Sequence, residues 1–279
     1  MKNILSVKEI SMIYTDCHLH TNLSGDGEAS MEDMIRGAIA LGLKTICFTE
    51  HHDPDYPTED VPFIVDTAHY TELLMNLKAK YRDRIEVLYG IEFGMQSHLV
   101  DMYRDYINEW PFDFIIGSSH VIYGIDPFYT HNIRDIDDRK LYRDYFEAVL
   151  SNIKHFDGFQ SYGHLDYIVR YGTYRTKHYN ISDYPDIIDE LLKTAIHKGI
   201  GIEINTAGLK HKLGFPHPHP DILKRYRELG GEIITIGSDA HRPEHIAYGF
   251  QEAADLLKSC GFSYYTIFRN RTPEFLPID

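Results

Sequence analysis

Short runs of β-branched and aromatic residues alternate with longer amphipathic stretches, and this alternation constrains the possible folds of the chain more than any other feature. The runs have the length of single strands, and the stretches have the apolar period of helices. The predicted strands span 12–15, 45–49, 85–91, 114–117, 160–163, 201–205, 233–237 and 264–268, and the predicted helices span 31–41, 71–81, 141–154, 187–198, 220–229 and 246–259. This order predicts a parallel sheet, and about seven repeats without a Pro- or Ser-rich linker favour one barrel over two domains.

A possible metal ligand stands at the C-terminal end of most predicted strands. In a β/α barrel these ends converge on one face, so side chains that are distant in sequence are expected to meet in space. One histidine at a strand end is more often a hydrogen-bonded structural residue, but its recurrence predicts a metal centre. In strand order, the candidate ligands are His18, His20 and Asp26, then His51, Glu92, His120 and His164, and finally Asp239 and His241.

The spacing within this set suits metal binding. Alternate residues of an extended segment point to the same side, so His18 and His20 can hold one ion, and Asp239 and His241 can do the same. A carboxylate such as Glu92 can bridge two cations. Neutral imidazole nitrogens together with carboxylate oxygens favour zinc, iron or manganese.

Other polar residues near these strands are expected to have supporting or structural roles. His52 is expected to be solvated or to support a ligand, because only one of two adjacent histidines can face the ions. The prolines around His217 and His219 predict an extended surface loop, in which both histidines are structural. Glu203 and Asn205 alternate with isoleucines, so they either orient a metal ligand or form a buried polar pair. The polar, tyrosine-rich segment 167–184 is predicted to be a long loop beside the site.

Charge and cysteine content limit the partners and the compartment. A formal net charge of −14 argues against a nucleic-acid-binding surface, although clustered cations would still admit a small phosphorylated substrate. Three widely spaced cysteines without a C-x-x-C pair indicate a reducing compartment. No apolar run approaches the ~18 residues of a membrane span, and the N-terminus is unlike a secretory signal. The sequence therefore predicts a cytoplasmic protein without membrane partners, and it leaves the oligomeric state open.

The motifs DCHLHT, FTEH, GIEFG, SSH, YGHLD, EINTAG and GSDAH follow one another in this order. Together they resemble the polymerase and histidinol phosphatase (PHP) superfamily over nearly the whole chain. HLDYIVRYG and EINTAGLK are most similar to its stand-alone histidinol-phosphate phosphatases. The resemblance implies an α/β fold, a distorted (β/α)7 barrel forming a single domain over 1–279, with residues 1–11 as an N-terminal extension.

The resemblance also implies three divalent transition-metal ions. His18, His20, Glu92 and Asp239 would hold the first ion. Glu92 would bridge to the second ion, which His120 and His164 complete, and the third would be held by Asp26, His51 and His241. Many relatives have histidine where this chain has Asp26. Arginines that contact phosphate are expected after GHLD and NTAG. Arg170 fits the first position, whereas Lys210 occupies the second, where it loses bidentate geometry.

The implied reaction is hydrolysis of L-histidinol phosphate by an activated water that attacks phosphorus in line. Asp239 or His241 would pass a proton to the leaving alkoxide, and the sequence does not choose between them. One alternative is a phosphoesterase for another small phosphate ester or a nucleotide, including a nuclease. A nuclease would need a basic groove, which is not apparent. A non-catalytic, metal-stabilised binding module is the other alternative, but it would be expected to lack ligands, and here all nine positions are filled.

Overall fold

The computed structural model describes residues 13–57, 63–129, 133–172 and 179–279. Seven strands form one sheet in sequence order, and each strand pairs in parallel with the next. They are β1 (Thr15–Leu19), β2 (Thr45–His52), β3 (Glu86–Gly94), β4 (Phe114–Ser118), β5 (Ser161–Tyr162), β6 (Gly201–Asn205) and β7 (Ile234–Gly237). Nearly every strand residue is buried, as expected for parallel strands covered on both faces.

Hydrogen bonds between the first and last strands nearly close the sheet into a barrel. Just beyond β7, the backbone N–H of Asp239 donates to the carbonyl of His18 at 3.0 Å. The N–H of His20 donates to the carbonyl of Ala240 at 3.0 Å, and Leu19 and Ala240 form a parallel bridge. The predicted (β/α)7 barrel is therefore confirmed.

Helices follow most strands and cover the outside of the barrel. Their amphipathic faces supply leucine, isoleucine and aromatic side chains to the core around the sheet. Shorter 3-10 turns span Ser97–Leu99, Tyr167–Arg170, Ile181–Asp183 and Pro243–His245. The α-helices are α1 (Met31–Ala40), α2 (Thr67–Tyr81), α3 (Val100–Glu109), α4 (Asp138–His155), α5 (Pro185–His197), α6 (Ala207–Lys210), α7 (Pro220–Glu228) and α8 (Phe250–Ser259).

Several element boundaries differ from the sequence prediction. The first strand begins at Thr15 rather than at residue 12, and β2 and β3 extend past their predicted ends to His52 and Gly94. The prediction stopped each strand at its first ligand-type side chain, but those side chains are buried within the strands. The α3 helix was missed because it is largely polar and buries only Tyr103 and Ile107.

The predicted eighth strand is present but lies outside the barrel sheet. This strand, β8 (Tyr264–Arg269), pairs antiparallel with β9 (Thr272–Pro277), which was not predicted. Residue 12 and the expected extension 1–11 lie outside the described residues. Within the described ranges, the helices are too short or too polar to cross a membrane.

Candidate metal centre

The structure brings all nine candidate ligands together at the C-terminal end of the barrel. The strands β1, β2 and β3 carry His18, His51 and Glu92, and the other candidates stand in the loops that follow β1, β4, β5 and β7. His18, His20 and Glu92 are fully buried at the floor of this site. These three side chains therefore lie inside the barrel mouth, whereas Asp26 and His241 are more exposed at its rim.

Glu92 lies at the centre of the site, with a group of histidines at each carboxylate oxygen. Its Oε2 is 3.2 Å from His18 Nε2 and 3.3 Å from His20 Nε2. Its Oε1 is 3.0 Å from His164 Nε2 and 3.3 Å from His120 Nε2. One carboxylate thus faces two separate sets of nitrogen donors, which is the geometry that a bridging ligand requires.

A third group of donors lies above the first, nearer the solvent. The His20 ring stacks between those of His51 and His241, with centroid distances of 4.3 and 4.5 Å. Asp26 Oδ2 lies 3.0 Å from His241 Nε2 and 3.8 Å from His51 Nε2. Asp239 Oδ1 is 3.6 Å from His20 Nε2, so Asp239 lies between this group and the one at the floor.

Carboxylates behind the rings fix the orientation of two histidines. Glu203 Oε1 lies 2.7 Å from His18 Nδ1, and Asp53 Oδ1 lies 2.6 Å from His120 Nδ1. With Nδ1 engaged, each ring presents Nε2 to the centre of the site, an arrangement typical of metal-bound histidine. For Glu203 the structure favours the orienting role over an isolated polar pair, and Asn205 supports it by donating to Glu203 Oε2 at 3.1 Å.

Asp53 was not selected from the sequence. It follows His51 by two residues at the end of β2, and its carboxylate is 3.2 Å from His51 Nδ1 as well as close to His120. The alternation of side chains along a strand was the available signal, because it places residues 51 and 53 on one face. The Cα of Gly94 approaches so closely that an added Cβ would lie 1.7 Å from Asp53 Oδ1, so only glycine fits there.

The carboxylates control the charge of the surrounding histidines. Burial alone would lower the pKa of His18, but Glu203 and Glu92 outweigh it and hold that pKa well above its ordinary value. Burial would also lower the pKa of His51, but Asp26 and Glu92 outweigh this effect and raise the pKa to about 9. The pKa of His20 falls to about 3, chiefly because of burial and then because of His51 and His241.

Several buried atoms of the site have no hydrogen-bond partner among the described residues: Glu92 Oε2, His51 Nδ1, Asp53 Oδ2 and His241 Nε2. Unpaired buried polar atoms are costly, so these nitrogens and carboxylate oxygens fit a shared cationic ligand. Groups of three donor atoms that lie within 4.8 Å of one another also occur repeatedly around Glu92. The donor set of imidazole nitrogen and carboxylate oxygen therefore fits divalent transition metals.

Two expectations about the remaining histidines were wrong. His52 is neither solvated nor in contact with a ligand. It points to the opposite side of β2 from His51, and its ring stacks on Tyr106 with a centroid distance of 4.0 Å. His217 is not on a surface loop but is completely buried, and it accepts a hydrogen bond from Arg170. The prolines do form a loop there, but it folds back against the end of β6.

The two predicted phosphate-binding residues lie beside Asp239. Arg170 is buried, although its segment was predicted to be a loop. It ends the 3-10 turn Tyr167–Arg170, with Nη2 3.5 Å from Asp239 Oδ2. Lys210, at the end of α6, donates from Nζ to the backbone carbonyl of Asp239 at 3.1 Å. Both cations therefore lie along one side of the cluster.

The chain is similar in sequence to known proteins. The PHP domain model matches residues 16–207. A histidinol-phosphatase from Lactococcus lactis is 32% identical over 258 residues, which cover 91% of this chain and 93% of that protein. A protein named probable histidinol-phosphatase from Clostridium acetobutylicum is 33% identical over 245 residues, which cover 88% of this chain and 93% of that protein.

Solved structures show the same relationship. A crystal structure of the Lactococcus lactis histidinol phosphate phosphatase, in complex with zinc, L-histidinol and phosphate, matches with a TM-score of 0.83 at 30% identity. The match covers 94% of this chain and 98% of that one. A Listeria monocytogenes structure shares the fold with a TM-score of 0.72 at 21% identity, covering 85% of this chain and 99% of that one. The chain therefore belongs to the PHP domain family, within the group that contains these histidinol-phosphatases.

Proposed function

We propose that this protein is a metal-dependent phosphomonoesterase that hydrolyses L-histidinol phosphate to L-histidinol and inorganic phosphate. The observation that carries the proposal is the pairing of a buried histidine and carboxylate cluster with two cations, Arg170 and Lys210, on one side of Asp239. A phosphate dianion needs such positive charge around it. The similarity to histidinol-phosphatases extends over about nine-tenths of this chain. It favours L-histidinol phosphate over other phosphate esters.

The proposed ligand sets follow the three groups of donors around Glu92. The first ion takes His18, His20, Glu92 and Asp239. The second takes the other oxygen of Glu92 with His120 and His164, and the third takes Asp26, His51 and His241. The distances between facing donor atoms, 3.0 to 3.8 Å for most pairs, support each set. Zinc, iron and manganese all suit these donors.

The bound ions would supply Lewis acidity and would lower the pKa of a water molecule so that it can attack phosphorus. Arg170 and Lys210 would bind the phosphoryl oxygens and neutralise the charge that develops on them. Asp239 Oδ1 and His241 Nδ1 lie 3.7 Å apart at the rim, and one of the two would pass the proton to the departing alkoxide. Burial of the floor of the site excludes bulk water from the reaction.

A phosphate-release screen tests the substrate. Metal-loaded protein is expected to have its highest kcat/KM on L-histidinol phosphate among amino-alcohol phosphates, sugar phosphates and nucleotides. All of these esters would place a phosphoryl group in the same site, so contacts with the rest of each molecule determine the preference. Higher kcat/KM on a nucleotide or a sugar phosphate would instead assign the protein to the alternative class of small-molecule phosphoesterase.

Removal of the Arg170 guanidinium should weaken catalysis without removing metal. Arg170→Ala is expected to lower kcat/KM for L-histidinol phosphate roughly ten- to a hundredfold, because one charge-assisted contact of ~1.5–3 kcal/mol is lost. Lys210→Ala should have a smaller effect, since an ammonium makes a less oriented contact. Steady-state kinetics and elemental analysis on the same preparations provide the measurement.

Arg242→Ala is a matched control for the loss of positive charge near the metal face. Arg242 follows His241 directly, has a side chain that is 46% exposed and pairs with Glu28 at 2.6 Å. Near-wild-type kinetics are expected for this variant. Wild-type kinetics in Arg170→Ala, or metal loss in proportion to its activity loss, would contradict a substrate contact by Arg170.

A further inference from the structure

A buried chain of polar side chains lies behind Arg170, on the side away from the metal ligands. Arg170 Nε donates to His217 Nε2 at 2.9 Å, and His217 Nδ1 lies 2.5 Å from Asp166 Oδ1. Asp166 and His217 are both completely buried, with no exposed surface. Neither residue belongs to the metal cluster, so the proposed chemistry leaves their role open.

The direction of these hydrogen bonds follows from the groups at each end. A guanidinium can only donate, so His217 Nε2 must be the acceptor. Asp166 Oδ1 faces His217 Nδ1, and its second oxygen accepts the backbone N–H of His219 at 2.9 Å. His217 therefore carries its proton on Nδ1 and is neutral. Burial lowers the pKa of His217, consistent with that state.

The backbone of His217 is fixed to the barrel. Its N–H donates to the carbonyl of Asn205 at 2.8 Å, and its carbonyl accepts the N–H of Asn205 at 2.7 Å. The start of α6 also lies close to this loop. A Cβ added to Gly208 would lie only 2.5 Å from the carbonyl oxygen of Phe215. These contacts fix the position of the His217 imidazole next to the C-terminal end of β6.

The Nη2 atom of Arg170, which lies next to Nε on the guanidinium, is directed toward the metal face. This atom is buried, lies 3.5 Å from Asp239 Oδ2 and has no hydrogen-bond partner among the described residues. The ring of Tyr167 packs against the guanidinium, with 4.9 Å from Arg170 Cζ to the ring centroid. The Nε–H of Arg170 is therefore engaged by His217, while Nη2 retains a donor for a ligand.

We propose that Asp166 and His217 are positioning residues that orient Arg170 for the substrate phosphate. The inference rests on the proposed function insofar as Arg170 contacts that phosphate. Asp166 fixes the tautomer of His217, and His217 in turn fixes Nε of the guanidinium, so that Nη2 points to the phosphoryl group. In the Ser-His-Asp triad of serine proteases, loss of the correct histidine tautomer likewise disables catalysis.

The test is a double-mutant cycle read by calorimetric binding of inorganic phosphate to metal-loaded protein. His217→Asn keeps an amide that can donate to Asp166 but offers Arg170 no acceptor at the Nε2 position. It is expected to weaken phosphate binding roughly tenfold. His217→Gln places an amide oxygen near that position and is expected to restore part of the affinity. Metal content and thermal unfolding of each variant identify any that fail to fold.

The decisive comparison is the same His217→Asn change in the Arg170→Ala background. There it should alter the phosphate Kd less than about twofold, because the residue that it positions is gone. His219→Asn, in the same loop, retains its backbone N–H and an N-cap side chain for α7, and it should bind phosphate like wild type.

Independent, additive losses would overturn the positioning role, as would equal affinity losses in His217→Asn and His217→Gln. Wild-type phosphate affinity in Arg170→Ala would overturn it too, since no contact would remain to be positioned. Because the ligand is inorganic phosphate, failure to hydrolyse histidinol phosphate would contradict only the proposed function and would leave this cycle measurable.

Discussion

Glu92→Gln is expected to abolish turnover, with a loss of at least roughly a thousandfold, and to release more than one equivalent of metal. An amide offers one neutral oxygen where the carboxylate offers two charged ones, and those two oxygens face His18 and His20 on one side and His120 and His164 on the other. The loss should exceed the ~10–100-fold that is typical of residues that only orient a metal ligand.

The control for this change is His51→Ala, which removes a proposed ligand of the third ion and leaves the Glu92 carboxylate in place. Elemental analysis and kinetics on the two variants side by side give the comparison. We expect His51→Ala to lose less metal and less activity than Glu92→Gln. Equal retention of metal and activity in the two proteins would contradict a bridging role for Glu92.

Removal of the metals by a chelator is expected to eliminate turnover completely and to lower the free energy of unfolding. Ligands that bind only the folded state at about a thousand times their Kd contribute about 4 kcal/mol. Activity should return on stepwise addition of zinc and reach its maximum at three equivalents. A maximum at one equivalent would contradict the three-ion proposal. Thermal unfolding at each step provides an independent measure of loading.

The pH dependence of this stabilisation has a defined sign. Without metal, carboxylates hold the pKa values of His18, His51 and His120 above their ordinary value, that of His51 at about 9. Their contribution to stability is complete below the unfolded pKa of about 6.5 and is lost as the pH rises toward 9. Metal binding requires the same rings to lose protons, so stabilisation by metal should increase over that interval. Calorimetric loading in two buffers of different ionisation enthalpy measures the released protons.

The sequence was sufficient to predict the barrel and to identify a set of side chains that the structure brings together. The reason is that both depend on short-range patterns. Strand-then-helix order determines a parallel barrel, and the barrel places every strand end on one face. His18 and Glu92 could therefore be expected near each other without knowledge of any loop conformation.

The environment of Arg170 could not be predicted in the same way. Its partner His217 lies in a proline-containing loop whose sequence is typical of a surface segment, and the two residues belong to different parts of the chain. Their contact depends on how that loop folds back on β6, which no local period encodes. The environment of His52 was also not predicted. Its side chain lies on a fully buried strand, and its contact with Tyr106 depends on tertiary packing.

The junction of β1 with the residues after β7, where the barrel nearly closes, affects when the protein can bind metal during its synthesis. The hydrogen bond from Asp239 to His18 joins the two ends of the sheet at the level of the proposed first ion. An ion held by both residues would cross-link a loop of roughly 220 residues, which by chain-entropy arguments contributes about 5 kcal/mol. During synthesis that ion could not be fully coordinated until β7 had emerged from the ribosome and joined β1. Metal acquisition would thus be a late event, and it would lock a barrel that is already assembled.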